Sequence, residues 1–446
     1  MAAEKAAKLG MTRRQFLRTG GGMAVSLIAM NQVFGDSFRV SMEEADDPDA
    51  FAANEPQNQF IFDVQTHHVD VESEWYSKTP EGNLSANFFR TFRPSAKSTK
   101  EALELLNRDH YVKEIFMDSD TKMVIVSGVP TATWDANPLP PDRMVATRKH
   151  VNDLAGSKRA LSHGLIRPNL GGKELEELER QVKELKIDAW KVYTGAETGK
   201  NAWWMDDEKV AYPFWALTEK LGVKNVCVHK GLPLGVFNEE HCKPKDLIKA
   251  AKDFPNLNFI AYHSGFRGFR PLRPREGEAT DPAYIAWTSD LVKDLKDNPK
   301  VKNVYFELGA TFDMTSAYQP EVCMHLLGQM LQVPDGENRI LWGTDSIWNG
   351  SPQSQIVRLR RIKIKDELIE KHKYPQLTDA IKDKILGLNA ARLFGIDPQE
   401  SMKSIKEDKL TKKRAAYLED PQPSNARYGW VWKSEPGRRP NQKFGG

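Results

Sequence analysis

Cysteine and an excess of one charge are both scarce in this sequence of 446 residues. The three cysteines (Cys227, Cys242 and Cys323) cannot all pair and show no CxxC spacing, so neither a disulfide framework nor a zinc ribbon is indicated. The 64 basic residues nearly cancel the 61 acidic ones, which leaves a formal net charge of +3. Such a balance gives no broad field for nucleic acid or an anionic membrane, and we expect neither as a partner.

Several catalytic and nucleotide-binding signatures are also missing. No GxGxxG follows a predicted strand, no GxxxxGK[ST] loop is present and no GxSxG elbow occurs. These absences argue against a dinucleotide site, a P-loop and an α/β-hydrolase nucleophile. What remains is a chain long enough for a large barrel, with 40% hydrophobic residues to fill its core.

Residues 1–35 resemble a twin-arginine export signal. Arg13 and Arg14 precede Phe and Leu and then a mildly apolar segment, 20–30, rich in Gly and Ala. This segment is shorter than the roughly 20 residues of a spanning helix. We expect the twin-arginine translocation machinery as a partner and a periplasmic or extracellular location, with the signal cut near Gly35 or retained. The alternative is a basic disordered arm.

From residue 58 onward, short apolar runs alternate with helical patterns. Eight strands are predicted, at 60–64, 122–127, 160–166, 189–193, 225–229, 258–263, 303–307 and 340–342. Strands separated by helices predict an α/β fold, a (β/α)₈ TIM-type barrel. The predicted organisation is a signal at 1–35, an acidic linker at 36–57, the barrel at 58–398 and a C-terminal helical extension and tail at 399–446.

Four of the predicted strands end in polar side chains that can bind a metal. Gln65 and His67 follow the first strand, His229 ends the fifth, His263 ends the sixth and Asp345 follows the eighth. The carboxyl ends of the strands in a parallel barrel meet on one face, which carries the chemistry. The sequence therefore predicts one shared site.

The order Gln-x-His, His, His and Asp resembles the amidohydrolase superfamily, in particular its amidohydrolase-related (type 2) branch. The helix pattern at 385–395 is similar to the one that ends the domain in that branch, and the resemblance covers roughly residues 56–398. It implies a hydrolase of a small ester, lactone or amide. It also implies that His67, His229 and Asp345 hold one divalent metal ion, zinc or alternatively manganese.

The resemblance further implies Asp345 and His263 as the catalytic residues. A metal-activated water would attack the carbonyl, and Asp345 would take its proton and pass it to the leaving group. His263 would contact the substrate or steady the developing oxyanion. Without a metal, Asp345 could act as base, with His263 and Lys191 as the electrophilic side.

Gln65 is the departure from the pattern Asp-x-His-x-His of this branch. Residues two apart share a strand face, so Asp63, Gln65 and His67 are expected to line the interior together. An amide oxygen is a weaker ligand for zinc than an imidazole, which should lower the metal affinity. The alternative is a degenerate site held by hydrogen bonds alone, and some members of the branch work without a metal.

Other polar residues are candidates for supporting roles. Lys191 ends the fourth strand, where some amidohydrolases carry a carbamylated lysine, although a lysine paired with a barrel carboxylate is the simpler interpretation. Glu307, at the end of the seventh strand, is a candidate acid, base or supporting group. His163, on the third strand, has no clear assignment, and His68 is expected to point away from His67.

Substrate contacts are indicated by arginines and tryptophans that follow the strands. Arg267 and Arg270 lie in an arginine-rich loop after the sixth strand, and guanidinium forks suit a carboxylate, although such runs are often solvated. Trp204 and Trp348 are candidates for an aromatic wall, or they only cap the barrel. Together these residues favour a small acidic or planar substrate.

Two other functions compete with hydrolysis. The same branch contains metal-dependent decarboxylases of aromatic or unsaturated acids, and Gln65 would also suit a barrel that binds a small molecule without catalysis. Members of the branch are often dimers or larger, which is compatible with a homo-oligomer here.

Overall fold

The polypeptide divides into two compact units. The structure is a computed structural model and describes residues 1–17, 19–56, 58–196, 201–233, 237–268, 281 and 283–423. One unit consists of Met1–Gln57 and Gln422–Gly446, and the other of Asn58–Pro421.

The described N-terminal residues of the first unit are largely helical. The helices are α1 Ala2–Lys8, α2 Arg13–Phe16, α3 Gly20–Phe34, α4 Met42–Asp46 and α5 Pro48–Ala53. The stretch predicted as a linker thus contains α4 and α5, which both contact α3. Each begins where a side chain accepts a backbone N–H, Ser41 for α4 and Asp47 for α5. In the residues described, no helix combines the length and the apolar character needed to cross a membrane.

Eight parallel strands organise the described part of Asn58–Pro421, each beside its neighbour in chain order. They are β1 Phe62–Thr66, β2 Met123–Val126, β3 Ala160–Leu165, β4 Ala189–Tyr193, β5 Asn225–His229, β6 Asn258–Tyr262, β7 Val304–Glu307 and β8 Ile340–Leu341. Val64 N donates to Trp342 O over 2.9 Å, which brings the end of β8 back to β1. The sheet is therefore a nearly closed barrel, and the predicted (β/α)₈ fold is confirmed.

Helices cover the outside of the barrel and follow its last strand. They are α6 Trp75–Lys78, α7 Pro80–Arg90, α8 Thr99–Glu104, α9 Arg108–Val112, α10 Pro141–Ala155, α11 Gly172–Lys183, α12 Tyr212–Leu221, α13 Leu247–Asp253, α14 Thr288–Asp297, α15 Thr311–Tyr318, α16 Pro320–Leu331, α17 Gln353–Arg361, α18 Asp366–His372, α19 Asp379–Asp383, α20 Asn389–Leu393, α21 Pro398–Glu407 and α22 Lys409–Tyr417.

Two apolar clusters hold the strands in place. One contains the buried side chains Phe62, Val64, Met123, Ile125, Leu161, Ala189, Cys227, Ile260, Tyr262 and Leu341. The other joins β2 and β3 to helices through Tyr111, Ile115, Val124, Val126, Met144 and Val151. Strands covered on both faces read as continuous apolar runs, as β2 does with Met-Val-Ile-Val. The packed strands give the residues at their carboxyl ends a rigid support.

The first part of the predicted tail belongs to the barrel unit. Asp408 caps α22 by accepting from Thr411 N over 2.7 Å. Its carboxylate also accepts from Arg159, just before β3, over 2.8 Å, and both side chains are buried. This ion pair attaches α21 and α22 to the barrel, while residues 424–446 lie outside the described part of the chain.

Candidate active site

The site begins at the junction of β8 and β1, where three of the predicted residues meet. Asp345 follows β8 with a φ of 61°, and its N–H donates to Gln65 O over 3.0 Å. Its Oδ1 accepts from Nε2 of Gln65 over 3.0 Å and lies 3.1 Å from Nε2 of His67. The left-handed backbone, which Asp tolerates better than most residues, turns the carboxylate toward β1.

The ring of His67 is fixed from two sides. Its Nδ1 lies 2.7 Å from Ser127 O, at the end of β2, and donates its hydrogen there. Nε2 then faces Asp345, and it donates to that carboxylate when the imidazole is protonated. The Trp348 ring stacks on the imidazole at 5.2 Å and 18°.

Asp345 is held in its ionised form. Burial acts to raise the pKa of its carboxyl, but the hydrogen bond and charge of His67, with the charges of His263 and Lys191, outweigh burial and lower the pKa. The group is therefore ionised at neutral pH. Its side chain keeps 17% of its surface exposed, whereas that of His67 keeps 1%, so water can reach the carboxylate.

His229 and His263 form a second pair. Nδ1 of His229 lies 3.1 Å from Nε2 of His263. The opposite nitrogens face backbone carbonyls, Leu232 O at 3.1 Å and Gly309 O at 2.8 Å. If each ring donates its single hydrogen to its carbonyl, two bare nitrogens face each other, an arrangement that favours a proton or a metal ion between them.

The expected metal ligands are divided between the two pairs, with His67 and Asp345 in one and His229, beside His263, in the other. In the part of the chain that the structure describes, no three His, Cys, Asp or Glu side chains form a ready group for a metal ion. Within each pair the donor atoms are 3.1 Å apart, the spacing of neighbouring ligands that each lie about 2.0–2.1 Å from one ion. The imidazole and carboxylate donors of His67, His229 and Asp345 fit a divalent cation. Gln65 instead directs its amide NH₂ toward Asp345.

Glu307 binds backbone groups beside the second pair. Its Oε1 accepts from Gly309 N over 2.7 Å, and its Oε2 accepts from His263 N over 3.1 Å. Burial raises the pKa of this carboxyl to about 8. A Cβ at Gly343 would lie 1.6 Å from Glu307 Oε1, and one at Gly309 would lie 2.1 Å from Gln65 Oε1. Both glycines therefore let the backbone approach these side chains.

Asp63, on β1, connects the first strand of the barrel to the segment that follows the last strand. The register of β1 against β2 shifts between Asp63 and Thr66. Gln65 and His67 nevertheless direct their side chains to the same side, with their Nε2 atoms 3.4 Å apart. The carboxylate of Asp63 accepts from the N–H and the hydroxyl of Thr344, and from Gln65 N over 3.1 Å. Burial raises its pKa to about 7.

Lys191 and His163 lie deeper in the barrel. Among the described residues, no acceptor is within hydrogen-bond distance of Lys191 Nζ, so the expected pairing with a carboxylate is not found. The ammonium lies 3.8 Å from the centre of the Tyr262 ring, and burial lowers its pKa to about 8. His163 Nε2 lies 3.4 Å from Tyr262 Oη, and burial lowers the pKa of this imidazole well below its usual value.

An aromatic wall covers one side of His67. The ring of Trp348 also stacks on Phe92 at 5.7 Å and contacts Phe89 at 4.8 Å. Arg93 fixes this loop by donating to Trp348 O over 2.9 Å and to Ile347 O over 3.0 Å. Phe89, Phe92 and Arg93 were not predicted from the sequence, although the spacing Phe88-Phe89-x-x-Phe92 was an available signal.

The other predicted substrate residues lie in different surroundings. Trp204 stacks on His241 at 4.2 Å, and Lys245 lies over its ring at 4.3 Å. Arg267 is already engaged by Glu239 over 3.0 Å. Arg270 falls outside the described residues.

His68 contacts the outer packing rather than the cluster. Its Nε2 lies 2.9 Å from Thr147 Oγ1, and its Nδ1 lies 3.2 Å from Val69 O. It thus packs between β1 and α10, as its expected direction away from His67 requires.

Comparison with known proteins identifies the family. The Amidohydrolase family profile matches residues 145–396. An uncharacterised TIM-barrel protein from Bordetella bronchiseptica is 15% identical with a TM-score of 0.48, and the alignment covers 75% of this chain and 98% of that one. The 2,6-dihydroxybenzoate decarboxylase from Rhizobium is 18% identical with a TM-score of 0.44, and the alignment covers 76% of this chain and 99% of that one. The 5-carboxyvanillate decarboxylase from Sphingomonas paucimobilis is 12% identical with a TM-score of 0.44, and the alignment covers 76% of this chain and 100% of that one. No curated protein matches. Since the family profile spans more than half of the chain, this protein belongs to the amidohydrolase family of barrel enzymes.

Proposed function

We propose that this protein hydrolyses a small ester, lactone or amide with Asp345 as general base. The observation that carries the proposal is the state of this carboxylate, which is ionised, partly exposed and held by Gln65 and His67. Such a group can take the proton of a water as it attacks a carbonyl and then deliver that proton to the leaving group.

The residues that would hold a divalent cation, zinc or manganese, are His67, His229 and Asp345. Such an ion would supply Lewis acidity toward the substrate carbonyl and the attacking water. The chain itself supplies orientation, because Ser127 O and Leu232 O hold the far nitrogens of the two histidines.

Decarboxylation of an aromatic or unsaturated acid is the second candidate, and Glu307 favours it. A decarboxylase must deliver a proton to the carbon that loses carbon dioxide. Burial raises the pKa of Glu307 to about 8, so a protonated acid is present near Asp345 at neutral pH. Hydrolysis uses the base at Asp345, whereas decarboxylation would use this proton.

The first experiment combines metal content with a substrate screen. The protein is purified without chelator beside Asp345→Asn, and its metals are measured by inductively coupled plasma mass spectrometry. We expect close to one equivalent of zinc or manganese, reduced in the variant, and hydrolysis of lactones, esters or amides that Asp345→Asn lacks. Release of carbon dioxide from aromatic acids, with no hydrolysis, would support the second candidate. Absence of both reactions in the metal-soaked protein would leave the binding role.

We also propose that the chain is exported by the twin-arginine route, on the pattern of Arg13 and Arg14 ahead of segment 20–30. The test replaces both arginines by lysine in the full chain and follows the protein by cell fractionation. We expect the native chain in the periplasmic fraction and the variant in the cytoplasm. Equal export of both would contradict the proposal.

A further inference from the structure

We infer that Lys191 binds a carboxylate of the substrate at the centre of the barrel. Lys191 is the middle residue of β4, where its backbone is paired with Leu165 of β3 and Cys227 of β5. Its side chain is completely buried. The inference deepens the proposed function, because it assigns the acidic class of substrate to one residue of the same site.

The ammonium of Lys191 has three hydrogens and, among the described residues, no acceptor for any of them. The faces of Tyr262 and Tyr193, with ring centres at 3.8 and 5.5 Å, provide a partial cation–π environment. Buried charged groups are otherwise paired, so an orphaned ammonium inside a barrel needs an explanation. A ligand that enters the site with an anionic oxygen supplies one.

The nearby carboxylates do not fill this place. Glu307 gives Oε1 to Gly309 N and Oε2 to His263 N. Asp345 gives Oδ1 to Gln65 and His67. In their ionised forms, both carboxylates oppose the effect of burial on the pKa of Lys191 through their charge. Neither makes a hydrogen bond to Nζ of Lys191.

Lys230 is a second buried lysine near Lys191, and its contacts are those of a lysine that only supports the fold. It directly follows β5 and is also completely buried. Its Nζ donates to Asp246 Oδ2 and to His241 O, each over 2.8 Å. Two buried lysines on neighbouring strands therefore differ in one respect, which is that Lys230 has its partners within the chain and Lys191 does not.

The surroundings of Lys191 favour an anion with a single charge. His163 is neutral, since burial lowers its pKa well below the usual value. The Tyr262 hydroxyl donates to Val64 O over 2.7 Å. With one cation and neutral aromatic neighbours, the position suits one carboxylate on a planar molecule better than a phosphate.

The test measures binding rather than turnover. Thermal unfolding of the full-length protein is followed with acetate, propionate and benzoate, and with the neutral amide of each acid. We expect at least one acid to stabilise the native protein while its amide does not. Lys191→Met should lower the affinity of the protein for that acid by at least about tenfold, which is the contribution of a charge-assisted hydrogen bond. Lys191→Arg should retain part of the response.

Two controls separate this inference from the proposed function. Asp345→Asn should lose hydrolysis but keep the response to the acid when it is measured below pH 7, because the lost carboxylate also favours the protonated form of Lys191. A failed base would then not count against Lys191. Failure of all three acids to stabilise the native protein, or an unchanged response in Lys191→Met, overturns the inference.

A pH series on the native protein tests the same point without a variant, in case Lys191→Met does not fold. Binding of the acid should weaken as the pH rises above the pKa of Lys191, about 8. The titratable groups whose charges act on Lys191 or that lie against it are Glu307, Asp345, Cys227, His163, His229, His263, Tyr193 and Tyr262. Because the pKa of Glu307 is also about 8, the series is repeated on Glu307→Gln, in which, of these groups, only Lys191 titrates near this pH. Binding that is constant through this range overturns the inference.

Discussion

The side-chain amide of Gln65 donates a hydrogen bond to the carboxylate of Asp345 over 3.0 Å, across the junction of β1 and β8. The amide thus occupies Oδ1, the same oxygen that lies 3.1 Å from Nε2 of His67. A histidine at this position could direct a ligand nitrogen at a metal ion, whereas the glutamine directs a hydrogen-bond donor at Asp345. Gln65 therefore orients the base and, at the same time, removes one ligand from the predicted metal site.

Restoring the imidazole should strengthen metal binding. In Gln65→His we expect zinc affinity to rise by at least about tenfold, since even the outer partners of metal ligands change affinity by this amount. Isothermal titration of the metal-free proteins measures the change. Gln65→Leu is the control that removes the amide without adding a ligand, and equal affinities in Gln65→His and Gln65→Leu would contradict the expectation.

The two buried lysines should respond in opposite ways to the same substitution. Lys230→Met leaves the buried carboxylate of Asp246 without its charged partner and should lower the free energy of unfolding by roughly 3–5 kcal/mol. Lys191→Met removes an orphaned charge and loses a cation–π contact, so we expect it to leave stability unchanged or to raise it by about 1–2 kcal/mol. Urea denaturation without ligand compares them, and equal losses in both variants would speak against an unpaired Lys191.

Glu307 should make stability fall as the pH rises. Its pKa is about 8 in the folded protein against an ordinary value of 4.5, so between these values the folded state keeps a proton that the unfolded chain has released. The free energy of unfolding therefore decreases from about pH 4.5 and levels off above about pH 8. In Glu307→Gln this contribution is absent.

Melting temperatures of the two proteins across this range measure the effect. As the pH rises through this range, the melting temperature of Glu307→Gln minus that of the native protein should increase by several degrees. Asp63 has a raised pKa in both proteins and cancels in the comparison. A difference that does not change with pH would contradict the prediction.

The C-terminal helices should depend on the ion pair between Arg159 and Asp408. Both side chains are buried, so Arg159→Met leaves an unpaired carboxylate and should destabilise the protein by roughly 3–5 kcal/mol. Arg180→Met is the matched control, because the Arg180 pairs with Asp142 and Glu177 are partly exposed and worth about 1 kcal/mol or less. Chemical denaturation of both variants tests whether the buried pair dominates.

The barrel and the family could be predicted because both depend on local patterns. The alternation of strands and helices is visible in the sequence, and so are the polar residues His229, His263 and Asp345 at the carboxyl ends of apolar strands. The assignment of metal ligands, the export signal and the substrate residues stay predictions. Their test needs metal, substrate or cells.

Several contacts of the site could not be predicted from spacing. The meeting of Gln65 with Asp345 depends on the register shift in β1 and on the positive φ of Asp345. The unpaired state of Lys191 depends on which oxygens of Glu307 and Asp345 are already used by other donors. The helices α4 and α5 were missed for another reason, since the caps Ser41 and Asp47 were visible but a shortage of large apolar residues suggested a linker.

The close backbone approach at Gly343 and Gly309 constrains the order in which this site can change during evolution or in a library. A methyl group at Gly343 meets the carboxylate of Glu307, and one at Gly309 meets the amide of Gln65. A larger residue at either glycine therefore requires the facing side chain to move or to be shortened. We expect substitutions at the two glycines to depend on the residues at positions 307 and 65, which makes the four positions epistatic.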